Sequence, residues 1–346
     1  MSETLSINKI EIKPGTAHTI NLPAAPLYTQ TEMNMPVRVI RGKKDGPRLF
    51  VCAAIHGDEI NGVEIVRRLL MSRQLSRLRG TLIAVPVVNI YGYTARTRYL
   101  PDRRDLNRFF PGSPKGSMAS RLAHLLMEEI VTKCTHGIDL HTGSFQRSNL
   151  PHVRTCIDSE DSMRLARAFR APVILHSNLR DGSLREATNE LNIPILLYEG
   201  GEALRFNEHV IRTGLRGVLS VMRTLNMLPN IPSPSKPTIP VTARTNRWVR
   251  APESGTLLVH RNLGSQVSSG DELGMITDPL GEDVVDVNAP VSGIVIGRTL
   301  LPLVYEGEAI FNIACLDDDG NVSDHLEQSY SNLDSGMDVE EYDPLS

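Results

Sequence analysis

From residue 48 to residue 226 the chain alternates short, almost wholly apolar runs with longer stretches whose apolar residues recur at helical spacing. This alternation constrains the fold more than any other feature. "RLFVCAAI" reads as a buried strand and "NGVEIVRRLLMSRQL" as a helix; "GTLIAVPVV" is a second strand, and "SMASRLAHLLMEEIVTK" is an amphipathic helix opening on a Ser cap. "HGIDLH" is a short strand. "SMRLARAFR", "APVILHS", "SLREATNEL", "IPILLYE" and "NEHVIRTGLRGVLSVMRTLN" continue as helix, strand, helix, strand and helix. Strands without polar alternation are buried on both faces, so the pattern implies an α/β fold with a mostly parallel sheet covered by helices. Residues 1–47 read as short strands, with a turn signal at Asp45-Gly46. The α/β unit is expected to occupy residues 1–228.

The pattern then breaks. "MLPNIPSPSKPTIPVTARTN" holds five prolines and no helical period, which predicts an extended linker over 229–246. Beyond it, residues 247–316 read as short strands and turns and contain a weak repeat: "VRAPESG" matches "VNAPVSG" 38 residues later, and "VSSGDEL" matches "VYEGEAI" 37 residues later. Two similar all-β halves predict a small pseudo-symmetric barrel or sandwich, and the region resembles the biotinyl/lipoyl-like hybrid fold. Carriers of that fold need a lysine at the hairpin between the halves. No lysine follows Lys236, so a carrier role is not expected, on chemical grounds. Residues 317–346 carry ten acidic side chains and no Lys or Arg, which predicts a solubilising, disordered tail. The whole chain has a net charge of −3, so residues 1–316 carry +7.

Composition removes several classes. No apolar run approaches the ~18 residues of a membrane helix, and the opening "MSETLSINKIEIKPG" lacks the apolar core of a signal peptide. The four cysteines are far apart with no CxxC, as expected of a reducing compartment, so a cytoplasmic location is expected. Basic residues are scattered without interleaved aromatics, which argues against nucleic acid as a partner.

The chemistry gathers at strand ends. His56 and Glu59 lie between an apolar strand and a helix, and a spacing of three turns both side chains to one point if the segment forms a helical turn. A catalytic metal takes three His or carboxylate ligands and leaves one position open, and the carboxyl edge of an α/β sheet is where such crevices form. His141, closing "GIDLH", is the candidate third ligand, with Asp139 placed to orient it. Glu199 ends "IPILLYE" before two glycines and is by position the best candidate for a base. The long irregular loop 89–112 holds five arginines (Arg96, Arg98, Arg103, Arg104 and Arg108) and Asn107; "DLNRFFPG" ties the last two, Asn107 and Arg108, to an aromatic pair that would hold a clamp for a carboxylate rigid.

Taken in order, HGDE (56–59), the N-x-x-G-Y start of the loop (Asn89 to Tyr93), DLNRFFPG (105–112), DLHTG (139–143) and YEGG (198–201) resemble the succinylglutamate desuccinylase/aspartoacylase family. That family is related to the zinc carboxypeptidases. The resemblance spans roughly residues 45–225, and the trailing β-region fits a longer bacterial branch. It implies a zinc-carboxypeptidase-like mixed sheet and one Zn2+ per chain on His56, Glu59 and His141. It further implies Glu199 as general base, Asn107 and Arg108 as carboxylate clamp, and Arg98 as the group that polarises the scissile carbonyl, with Arg96 and Arg104 as alternatives. Arg185, in "GSLREATNE", is a candidate further substrate contact. The expected activity is hydrolysis of the amide of an N-acyl amino acid or related small N-acyl amine. A metallocarboxypeptidase trimming a peptide or isopeptide tail shares every motif, and a non-catalytic scaffold would show a broken ligand set. Assembly into a homo-oligomer is left open by the sequence.

Overall fold

The apolar run that precedes His56 becomes the strand Lys44–Ala53, and its side chains alternate between two cores. Phe50 and Cys52 pack with Leu122, Leu126 and Leu184, whereas Leu49, Val51 and Ala53 pack with Ile65, Leu69 and Val218. Burying a side chain of this size contributes roughly 1.5–3 kcal/mol, so both faces of the strand exclude polar residues. In this computed structural model, which describes residues 4–230 and 240–316, helices Asn61–Met71, Glu160–Phe169 and Glu208–Thr224 cover one face. Met118–Glu129 and Leu184–Glu190 cover the other. Ser117, Ser159, Ser183 and Asn207 each accept a backbone N–H at a helix start, satisfying a donor that the helix itself leaves unpaired.

The described residues form a 12-stranded mixed α/β sheet. Its centre is parallel: Lys44–Ala53 lies between Arg79–Val85 and His136–His141, and Ile195–Gly201 adds beside His136–His141. These pairings bring Ala53, His141 and Glu199 to one edge. Arg147–Thr155 is a strand that the sequence reading passed over. It runs antiparallel to Ile195–Gly201 and parallel to Val173–His176. Pro151 hides it, because proline is rare inside sheets; here it falls where the register slips between Glu199 and Gly201. The turn expected at Asp45-Gly46 is also displaced. Those residues lie inside Lys44–Ala53, in a stretch where the register shifts between Lys44 and Arg48.

The expected linker over 229–246 is corrected at its far end. Residues 231–239 lie outside the described residues, but Val241–Arg250 is a strand. Val241 and Ala243 pack with Val173 and Leu175, and this apolar alternation after the last proline is what draws the segment into the sheet. Residues 317–346, expected to form an acidic tail, lie outside the described residues. From Val241 to Leu316 the secondary structure is all strand, divided between two sheets. Val241–Arg250, Ala309–Leu316 and Gly293–Thr299 extend the large sheet, and Gly293–Thr299 also pairs with Arg147–Thr155. Gly255–Val259, Glu272–Thr277, Val284–Asn288 and Leu303–Val304 form a separate four-stranded sheet. Leu257, Leu273 and Ile276 meet Val295, Phe311 and Ile313 in a shared core. Among the described residues no helix is long and apolar enough to cross a membrane.

Candidate active site

The HGDE segment is a tight turn between strand and helix. Ala54 takes a left-handed conformation (φ 52°) as the strand ends, and Glu59 N donates to His56 O at 3.1 Å. Gly57 sits against the backbone of Gly92; a Cβ there would lie 2.0 Å from the Gly92 carbonyl carbon. The turn is therefore pressed onto the loop that carries the arginines, and only glycine fits. His141 is the last residue of His136–His141, and Glu199 lies opposite it in the neighbouring parallel strand, on the same face.

His56, Glu59 and His141 converge. His56 Nδ1 lies 2.7 Å from Glu59 Oε1, and His141 Nδ1 lies 2.8 Å from Glu59 Oε2, which also accepts Thr142 N at 3.0 Å. All three are nearly sealed from solvent, and their ligand atoms fall within 4.8 Å of one another. Each imidazole presents its other nitrogen to a carboxylate: His56 Nε2 to Asp105 at 3.1 Å, His141 Nε2 to Asp139 at 2.7 Å. In the neutral tautomers that donate Nε2–H outward, both Nδ1 lone pairs would face the Glu59 carboxylate. Such an arrangement repels itself unless a cation lies among the donors, and a divalent ion suits two neutral imidazoles and a carboxylate. The proton affinities of the three groups follow the same charges. Burial opposes charge on His141, but the carboxylates of Asp139 and Glu59 outweigh it and raise its pKa well above the usual histidine value. His56 is raised despite burial by Glu59 and Asp105, and Glu59, despite burial, is held well below the carboxylate range by the two histidines.

Glu199 stands apart from the ligands in the same cavity. Burial raises its pKa, and Arg154 opposes the rise. Asn149 Nδ2 donates to Oε2 at 3.0 Å, and Arg154 Nε lies 3.8 Å from Oε1. Arg154 Nε also donates to His152 Nε2 at 3.2 Å, while His152 Nδ1 donates to the Leu150 carbonyl. Burial, followed by Arg154, lowers the His152 pKa to about 3, so the ring is neutral and serves as an acceptor that fixes the guanidinium. Asn149, Arg154 and His152 all come from the strand that the sequence reading missed.

The loop arginines separate clearly. Arg98 donates to Glu59 Oε1 at 3.2 Å and to Asp105 Oδ2 at 3.0 Å and lines the cavity. Arg96 is exposed at a helix end, and Arg104 stacks on Phe109 with its carbon 5.4 Å from the ring centre; neither lines the cavity. Asn107 N donates to Asp105 Oδ1 and Asn107 Oδ1 accepts Leu184 N, both at 2.9 Å, which leaves Nδ2 as its donor for a ligand. The expected aromatic support is therefore only part of the picture, since Asp105 and Leu184 do the fixing. Arg108 donates to the Asn107 carbonyl. Arg185 is buried, with its guanidinium held by the Ser177 and Asn178 carbonyls; burial, then Arg154, lowers its pKa to about 10. All of Asn107, Arg108 and Arg185 line the cavity, whose volume is about 710 Å³.

Part of the cavity lining comes from residues that no motif marked. Trp248 and Arg250 come from Val241–Arg250, and Arg147 stacks over the Trp248 ring at 5.3 Å. The chain's single tryptophan was the one sequence signal available for this wall.

A mixed α/β sheet gathers a His–Glu–His donor group, a buried carboxylate and a fixed guanidinium into one cavity, and a family match places the chain among amide-hydrolysing enzymes. The chain belongs to the succinylglutamate desuccinylase/aspartoacylase family, whose catalytic-domain profile matches residues 45–225. It is 26% identical over 293 residues to the N-alpha-acetyl-L-2,4-diaminobutyric acid deacetylase of Halomonas elongata, covering 81% of this chain and 85% of that protein. Among solved structures it is similar to a succinylglutamate desuccinylase/aspartoacylase from Rhodobacter sphaeroides, with a TM-score of 0.80 and 22% identity over 90% of this chain and 99% of that one. It is similar also to the product-bound ectoine utilization protein EutE (DoeB) from Ruegeria pomeroyi, with a TM-score of 0.79 and 22% identity over 91% of this chain and all of that one. These structural likenesses are likenesses of fold.

Proposed function

We propose that this chain is a cytoplasmic, zinc-dependent deacylase that hydrolyses the amide bond of an N-acyl amino acid or a related small N-acyl amine. The observation that carries the reading is the convergence of His56 Nδ1 and His141 Nδ1 on the Glu59 carboxylate with Glu199 in the same cavity. Zinc held by His56, Glu59 and His141 would supply Lewis acidity at the scissile carbonyl and would acidify water. Asp105 and Asp139 orient the two imidazoles by accepting their Nε2 protons. Glu199 takes the proton of the attacking water and returns it to the leaving amine; its raised pKa, a result of burial, suits both steps. Asn149 and Arg154 keep its carboxylate pointed into the cavity. Arg98, fixed between Glu59 and Asp105, stabilises the developing oxyanion. Asn107 Nδ2 and the Arg108 guanidinium hold the substrate carboxylate, and Arg185 adds a further contact.

The acetylated diamino acid named for the Halomonas elongata relative falls within this substrate class. A cavity of about 710 Å³, lined in part by Trp248 and Arg250, suits a small acylated amino acid. We assign the strands from Val241 to Leu316 the role of limiting access at the mouth. The test is metal content: about one zinc per chain after exhaustive dialysis, lost in Glu59→Ala and His141→Ala, supports the site. Zinc retained in both variants, or never bound by the wild type, overturns it.

A further inference from the structure

Two strands of the large sheet end together beside the cavity. Arg147–Thr155 and Val173–His176 are parallel neighbours, with Thr155 opposite His176 and Ser177 N donating to Thr155 O at 3.1 Å. The residue after the first strand is Cys156, whose thiol is free and exposed. The second strand closes on His176 itself, and Asp158 precedes Ser159, the cap of helix Glu160–Phe169. The thiol, the imidazole and the carboxylate come within 4.8 Å of one another. Ile157 N lies 3.4 Å from His176 Nδ1 and fixes the ring against the turn.

We propose that Cys156, Asp158 and His176 form a second metal site, for a divalent ion that takes sulfur, nitrogen and oxygen together: zinc, or cobalt in its place. Binding forms one bond each to sulfur, ring nitrogen and carboxylate oxygen and releases the Cys156 thiol proton to solvent. Thiolate and carboxylate then balance the dipositive ion, and a water completes four-coordination. Among the described residues the ion pair on Asp158 is weak: Arg244 lies 3.5 Å from it, with their side chains 62% and 68% exposed, so the pair contributes little. The site is less buried than the sealed His–Glu–His group, and in this proposal it fills second, when metal is in excess. An ion here staples the ends of two strands at the root of the segment whose Ser177 and Asn178 carbonyls hold Arg185. Metal in excess would therefore be sensed next to the substrate cavity.

The two sites are separable by spectroscopy, because the His56, Glu59 and His141 group contains no sulfur. Full-length protein carrying one equivalent of zinc is titrated with Co2+ and the near-ultraviolet absorption recorded. A thiolate-to-cobalt charge-transfer band that saturates at one further equivalent, and is lost in Cys156→Ser and in His176→Ala, is the expected result. Cys156 is exposed, so serine there leaves the core untouched. No sulfur band after several equivalents overturns the proposal, and so does a band that persists in Cys156→Ser. The same titration on metal-free protein, where no zinc can already occupy Cys156 and His176, separates failure of this site from failure of the first site to bind zinc.

Discussion

Removing the carboxylate behind His141 is the perturbation whose size can be reasoned most fully. Asp139 Oδ2 lies 2.7 Å from His141 Nε2, the two residues being only 1% and 4% exposed, so no water replaces a lost partner. In Asp139→Asn the amide oxygen still accepts the Nε2 proton, so ring orientation and tautomer survive but the charge is gone. Metal affinity is expected to fall about tenfold, or ~1.4 kcal/mol, the lower end of the range for outer partners of ligating histidines. In Asp139→Ala the orientation goes too. There the loss is expected to approach ~100-fold, with a further ~1–3 kcal/mol of stability lost to a buried, unpaired Nε2–H. Zinc affinity measured by competition with a chromophoric chelator, alongside thermal melts of the metal-loaded proteins, gives both quantities. The reasoning is refuted if folded Asp139→Ala holds zinc as tightly as the wild type, or if Asp139→Asn is the weaker binder of the two.

Four further outcomes are expected. Glu199→Gln keeps the Asn149 contact at 3.0 Å and the fold, so it should lose roughly 10²–10⁴-fold in kcat with zinc content unchanged. Asn149→Ala frees one Glu199 oxygen; kcat should fall and KM should not, as read from initial rates. Gly57→Ala drives a methyl into the Gly92 backbone at 2.0 Å and should cost at least ~1–3 kcal/mol, seen in urea unfolding. The fourth concerns pH. In metal-free protein the raised pKa values of His56 and His141 give a stabilising term that is full below the free-imidazole value and lost as pH rises through the raised ones. Zinc competes with those protons, so the increase in melting temperature on adding zinc should be larger at about pH 8.5 than at about pH 6.

The α/β alternation and the strand-end residues were legible because each rests on local sequence. Apolar runs mark Lys44–Ala53 and Ile195–Gly201, and a histidine or glutamate closing such a run is visible without any partner. The turn joining His56 to Glu59 follows from their spacing, and Asp139 was identifiable as the residue two before His141 on the same face of a strand. What escaped was everything that only the third dimension assembles. Pro151 masks the strand that delivers Asn149 and Arg154 to Glu199, because the register slip that tolerates a proline is invisible in one chain. Asp105 reads as one more charge in an arginine-rich loop, yet it caps the turn beneath Asn107, holds His56 and orients Arg98. Trp248 and Arg250 lie about fifty residues beyond Glu199, and the pairing of Val241–Arg250 with Val173–His176 and Ala309–Leu316 brings them to the cavity. The choice among Arg96, Arg98 and Arg104 needed the loop's path, which turns only Arg98 inward.

Amide hydrolysis at this site is measured directly as release of free amine from a panel of N-acetyl amino acids by protein loaded with one zinc. The wild type is expected to liberate amine and acetate in equal amounts from at least one member, with His141→Ala and Glu199→Gln inactive and activity lost on chelation. Turnover that survives in zinc-free protein or in Glu199→Gln would contradict the account, as would zinc-loaded wild type that cleaves peptides from their carboxyl end and no N-acyl amino acid.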